Sequence, residues 1–134
     1  MSVRHLNPQA VFKPPGYSHV VEVTGPGRTL YIAGQLGADR NLKIAGAPGD
    51  ARAQMVQAFE NLKAALAEAG ATFKDVVKIN NYLVDGAQMK DFREVRDSYV
   101  NTAAPPASTT VFVSRLAIEG FLFEIEAVAA LPPK

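Results

Sequence analysis

The chain has 134 residues, 48% hydrophobic and 20% charged, which fits one domain with a core that needs no disulfide or metal staple. Fourteen basic side chains stand against thirteen acidic ones, so the clustered Lys and Arg of a nucleic-acid footprint are missing. There is no cysteine, which excludes disulfides, thiol catalysis and thiolate metal sites.

Residues 1–16 carry three of the nine prolines and no lasting periodicity, and read as an extended arm or loop. The start, Met-Ser-Val-Arg-His-Leu-Asn-Pro, shows no charged-then-apolar signal pattern. No apolar run approaches the roughly 18 residues of a membrane span, so the expectation is a cytoplasmic protein with no membrane partner. His19 to Thr24 is rich in β-branched residues and predicts a strand. Gly25-Pro26-Gly27 supplies a turn, and Arg28 to Ala33 a second strand, so an N-terminal hairpin is expected. Gly34-Gln35-Leu36-Gly37 breaks that strand, and the stretch from Ala38 to Gly49 holds turn signals around a short apolar patch at Leu42 and Ile44.

Residues 50–70 give the clearest signal. Asp50 can cap a helix start, Gly70 suits the left-handed position past its end, and Met55, Phe59, Leu62, Leu66 and Ala69 recur at steps of four and three. Asp75 to Val84 predicts a strand whose apolar face of Val77, Ile79 and Leu83 is interrupted by Asn81; a buried amide there needs partners, which a subunit contact could supply. A second helix is expected over Gln88 to Tyr99, ended by Ala103-Ala104-Pro105-Pro106. Ser108–Leu116 and Phe121–Ala129 read as closing strands around a turn at Ile118-Glu119-Gly120. The order ββ–α–β–α–ββ, with room for an extra short strand near Leu42, predicts an α+β domain with two helices on one face of a sheet. Neither side of the last strand is simply polar, which predicts burial on both sides and hence self-association.

Few residues carry chemistry. Glu124 and Glu126 lie two apart on a strand, on one face and roughly 7 Å apart. Such a pair can divide acid and base work, and it equally suits a wet sheet edge. His5 and His19 are the only histidines, and without cysteine or a histidine pair at helical spacing no metal site is expected. There is no GxGxxG before a helix, no GxSxG elbow and no P-loop. Arg96, on the second predicted helix, is either a surface arginine or a guanidinium aimed into a cleft to bind a carboxylate in two-point fashion.

Together the blocks resemble a known family. The run Pro106-Ala107-Ser108-Thr109-Thr110-Val111-Phe112-Val113-Ser114-Arg115-Leu116, followed by Phe123-Glu124-Ile125-Glu126-Ala127-Val128-Ala129, is similar to the C-terminal signature of the Rid (reactive intermediate deaminase, YjgF-like) proteins. Tyr17 after Pro-Gly, Ala33-Gly34-Gln35, Asn61-Leu62-Lys63 and Asp75-Val76-Val77-Lys78 agree in order and spacing, so the likeness runs from Tyr17 to Ala129. The resemblance implies a chorismate-mutase-like α+β fold and a homotrimer with small-molecule clefts between subunits. It also implies hydrolysis of 2-imino or enamine acids, such as 2-aminoacrylate, to a 2-oxo acid and ammonia without cofactor or metal. Carried over by position, Tyr17 and the Gly34 region would line the cleft, Glu124 would orient the attacking water, and backbone near Thr110 would contact the substrate. One position departs. Rid deaminases read Pro-Ala-Arg where this chain reads Pro106-Ala107-Ser108, and that arginine clamps the substrate carboxylate. A hydroxyl cannot replace a charged planar fork, and the lost contact is worth about 2–5 kcal/mol. Arg96 is the expected substitute cation, reaching the cleft from another wall. The resemblance thus leaves an imine or enamine deaminase-like hydrolase with altered substrate preference, or a trimer that binds small molecules without catalysis. An RNA-directed endoribonuclease or translation inhibitor is the third reading, disfavoured by charge.

Overall fold

The computed structural model describes residues 1–134. Two helices cover one face of a mixed four-stranded sheet, with a smaller two-stranded sheet beside it. In chain order the strands are β1 (Ser2–Leu6), β2 (Val20–Thr24), β3 (Arg28–Leu36), β4 (Val76–Leu83), β5 (Ala107–Phe112) and β6 (Phe123–Leu131). The helices are α1 (Ala51–Glu68) and α2 (Met89–Tyr99). The main sheet runs β3-β6-β4-β5, with β6 antiparallel to both neighbours and β4 parallel to β5.

Helix α1 follows its sequence signals. The Asp50 carboxylate accepts from the Ala53 N–H at 3.0 Å, and the chain leaves the helix through Gly70 at φ 77°. Met55, Phe59, Leu62 and Leu66 are fully buried against the sheet. Phe59 stacks on Phe123 of β6 with ring centroids 5.9 Å apart and on Tyr99 of α2 at 5.1 Å, tying both helices to the central strand. Gln54, the residue just before Met55 in the apolar stripe, is also buried. Its amide donates to the Gly120 carbonyl and accepts from the Leu122 N–H, which fixes the loop that delivers β6.

Two expectations for the N-terminal half are corrected. Residues 1–16 are not all arm, because Ser2–Leu6 form β1, in register with β2 from Ser2↔Thr24 to Leu6↔Val20. The expected β2–β3 hairpin is replaced by two different pairings. β2 takes β1 as its partner, while β3 follows β6 from Arg28↔Leu131 to Leu36↔Glu124. The reason lies in β6, an apolar central strand whose backbone groups need a ladder on both edges, and β3 supplies one of them. The apolar patch at Leu42 forms no strand. Asp39 accepts from the Asn41 and Lys43 N–H groups in a tight turn that puts Leu42 at φ 62°.

The face of the main sheet away from the helices carries Lys78, Asn80, Tyr82, Glu124, Glu126 and Val128, all half-buried, with Tyr31 83% exposed at its edge. No helix is long and apolar enough to cross a membrane.

Candidate functional site

A cleft of about 320 Å³ opens where α2, β5 and the Pro14-Pro15-Gly16-Tyr17 turn meet, lined by Pro15, Tyr17, Met89, Phe92, Arg93, Arg96, Ser108, Thr109 and Thr110. Its floor is β5. Ser108 and Thr110 point to the helix side, because both side chains bond to Asn81, which is completely buried on that face of β4. Tyr17 is stitched into place from both sides. Next to it, the buried Ser18 hydroxyl donates to the Pro105 carbonyl at 2.6 Å, and the Ser18 N–H donates to the Pro106 carbonyl. The His5 ring is bonded through Nδ1 to the Pro105 carbonyl as well, at 3.0 Å, and His19 packs edge-on against both Tyr17 and Phe12. The two histidines thus hold the turn.

Arg96 forms the wall opposite β5. It is 6% exposed, lies 5.6 Å from the centroid of the Phe92 ring, and donates from Nε to Asp97 at 2.9 Å. Its terminal nitrogens have no protein acceptor, and they rest against Gly16 so closely that a Cβ there would lie 2.9 Å from Cζ. Gly16 has φ +85°, so the turn needs glycine for its backbone as well as for the guanidinium. One helical turn earlier Arg93 lines the same cleft with no ion pair. The sequence reading passed over it, although its i, i+3 spacing from Arg96 puts both on one helix flank.

Asn81 carries a local penalty. Its Nδ2 shares two protons among three acceptors, Ser108 Oγ at 3.0 Å, Thr110 Oγ1 at 3.2 Å and the Thr109 carbonyl at 3.3 Å, while its buried Oδ1 has no partner. An unsatisfied buried acceptor costs about 1–3 kcal/mol. The partners expected for this amide are therefore within the protomer, on the cleft floor.

Glu124 and Gly34 lie elsewhere. Asn81 pairs with Ile125, whose side chain faces the helices, so Glu124, one residue earlier on β6, faces the open side of the sheet. Gly34 of β3 is packed against it, and a Cβ on Gly34 would lie 2.8 Å from Glu124 Cδ. Within one protomer the sheet separates Glu124 and Gly34 from Tyr17, Arg96, Ser108 and Thr110. The two glutamates differ in surroundings. Glu126 accepts from the Tyr82 hydroxyl at 2.5 Å and from Asn80 Nδ2 at 3.2 Å, whereas Glu124 has no hydrogen-bond partner. Burial, and then the nearby Glu126 charge, push the Glu124 carboxyl above the usual carboxylate range. The bond to Glu126 raises the Tyr82 hydroxyl in turn. Glu124 is thereby the unpaired carboxyl of the two, and Glu126 the tethered one. Beside them Tyr31, Lys78, Asn80 and Glu126 border a second cavity of about 370 Å³. The largest hollow, about 550 Å³ beneath the arm from Asn7 to Gly16, offers Lys13 as its only charge and lies to one side of these groups.

The helix-covered mixed sheet and the small-molecule-sized cleft define a class of α+β proteins in which relatives can now be placed. Residues 9–131 match the family described as Endoribonuclease L-PSP. A RutC family protein of Pyrococcus abyssi is 38% identical over 118 residues, covering 87% of this chain and 88% of that one. The 2-iminobutanoate/2-iminopropanoate deaminase of Mus musculus is 36% identical over 119 residues, covering 87% and 82%. A crystal structure of the Rid family protein YyfB from Yersinia pestis, described as of unknown function, superposes with a TM-score of 0.83 at 35% identity, covering 98% of this chain and all of that one. The chain belongs to the Rid family of RutC/YjgF-like proteins.

Proposed function

We propose that this protein is a cofactor-independent hydrolase of small imine or enamine acids, working in clefts between the subunits of a homotrimer. The observation that carries this reading is the buried Arg96 guanidinium, whose terminal nitrogens are unpaired beside Ser108, Thr110 and Tyr17. A guanidinium whose two terminal nitrogens are free, with Nε held by Asp97, suits the carboxylate of a 2-imino acid, and it offsets the arginine that Ser108 replaces. Arg93 adds positive charge at the mouth. The apolar side chains of Met89, Phe92 and Pro15 fit a short aliphatic chain. The mouse relative's name, an iminobutanoate and iminopropanoate deaminase, supports that substrate class.

The chemistry asks little of the protein. A protonated imine is already electrophilic. Water adds to its carbon, a base takes the water's proton, and ammonia leaves the resulting carbinolamine as the 2-oxo acid forms. Positioning and one proton acceptor supply the rate. Glu124 is that acceptor, being unpaired and held above the usual carboxylate range. Because Glu124 and the Arg96 cleft lie on opposite faces of one sheet, the reading requires that a second copy bring its Glu124 to the first copy's cleft. The half-buried open face and the exposed Tyr31 are compatible with a subunit interface there.

The test is to generate 2-iminobutanoate in the presence of semicarbazide and follow the semicarbazone. The wild-type protein should suppress its formation by speeding hydrolysis, Arg96→Ala should abolish most of that effect, and Ser108→Arg should increase it. No suppression by either the wild type or Ser108→Arg would leave a trimer that binds small molecules without turnover.

A further inference from the structure

We infer that Asn81 is a positioning residue which turns the Ser108 and Thr110 hydroxyls into donors facing the cleft, so that this floor takes the anionic oxygen of a carboxylate. The inference rests on the proposed cleft and specifies how its floor reads the ligand. The orientation of the Asn81 amide is decided by its neighbours. The Thr109 carbonyl, 3.3 Å from Nδ2, can only accept. Rotating the amide would set Oδ1 against that carbonyl and would leave the two Nδ2 protons in the pocket where Oδ1 now lies alone. The observed orientation orphans one acceptor. The alternative orphans two donors and adds a repulsion.

The consequence passes to the hydroxyls. Each has one proton and two lone pairs, and each spends a lone pair on Asn81 Nδ2, at 3.0 Å for Ser108 and 3.2 Å for Thr110. Neither hydroxyl donates to any protein group, so both protons are left for the cleft they line. With Arg93 and Arg96 on the facing wall, these four side chains all present donors to the cleft. A ligand's neutral amide would meet donors with its NH2 group, whereas a carboxylate would meet them with lone pairs. Discrimination therefore falls on the acidic end of the ligand, and Asn81 sets it without touching the ligand.

The experiment compares the binding of 2-oxobutanoate, the product expected from 2-iminobutanoate, with that of neutral 2-oxobutanamide by calorimetric titration. Wild type should prefer the carboxylate. Asn81→Leu should cut the carboxylate-to-amide affinity ratio by about tenfold, the scale of one charge-assisted hydrogen bond. In a Ser108→Ala/Thr110→Val background the same Asn81 change should leave the ratio where it is. A merely structural role would weaken both probes alike. An unchanged ratio in a folded Asn81→Leu protein overturns the inference. Should that variant fail to fold, Ser108→Ala/Thr110→Val on the intact amide must itself lower the ratio, and no change there overturns it equally. Preference for the carboxylate without semicarbazone suppression would sink the hydrolase reading alone. Binding of neither probe by the wild type would sink both.

Discussion

The two faces of the main sheet are chemically opposite. On the helix side Arg93, Arg96, Ser108 and Thr110 line a cleft of donors, and on the open side Glu124, Glu126, Tyr82 and Asn80 gather around two carboxylates. Strand alternation produces this separation directly: Asn81 and Ile125 belong to one face, and Tyr82 and Glu124, their neighbours, to the other. A single copy thus holds its donor-lined cleft and its glutamate pair with the sheet between them. The proposed function uses both, so it calls for a site assembled from more than one copy, and each half can be broken separately.

The largest effect is expected from Glu124→Gln, which removes the proton acceptor and should lower kcat by about 10²–10⁴-fold with little change in KM. Arg96→Ala attacks the other half. It should raise KM by about 30-fold through loss of the charge-assisted contact, and thermal melting should show some destabilisation from lost packing on Phe92. The two glycines give a finer comparison. Gly34→Ala drives a methyl into the Glu124 carboxylate and should reduce kcat by roughly tenfold to a hundredfold. Gly16→Ala drives one into the Arg96 guanidinium from a strained left-handed backbone and should raise KM instead. If both glycine variants changed the same kinetic constant, the division into two half-sites would be wrong.

The smallest effect concerns pH. The Glu124 carboxyl is raised above its unfolded value, so between the unfolded and the folded pKa the native protein binds more protons than the unfolded chain. Its contribution is therefore fully present below the usual carboxylate value and lost as pH rises through the folded one. Glu124→Gln should melt a little higher than wild type at pH 7.5, by about 1–3 °C, and the gain should vanish near pH 4. A gain of equal size at both pH values would remove the account of the raised carboxyl.

How much of this could be read from the sequence depended on whether a residue's role was local. The stripe of α1 and its caps follow from spacing alone, and Met55, Phe59, Leu62 and Leu66 are buried as a periodic face demands. That Glu124 and Glu126 share a face needed only the period of a strand. The partner of β2 and the parallel pairing of β5 with β4 depend on which strand edges the pairings of β6 with β3 and β4 leave free, which no local pattern encodes. The same limit hid the cleft. Asn81 stood out as polar on an apolar face, but its partners come from β5, twenty-seven residues and more away in sequence. Nothing local in the sequence singles out Gly16, and only the packing of α2 shows that Arg96 lies against it. Arg93 was legible in principle, through its spacing from Arg96.

The central claim is that catalysis joins Glu124 of one copy to the Arg96 cleft of another. It is tested most directly by co-expressing Glu124→Gln and Arg96→Ala chains with different tags and assaying the purified mixed oligomers for iminobutanoate hydrolysis. In a cyclic trimer that contains both chain types, one of the three clefts holds both an intact Glu124 and an intact Arg96, so activity should return to about a third of wild type. Mixed oligomers no more active than the two parent variants would contradict the account, because a site contained within one chain can never regain both residues.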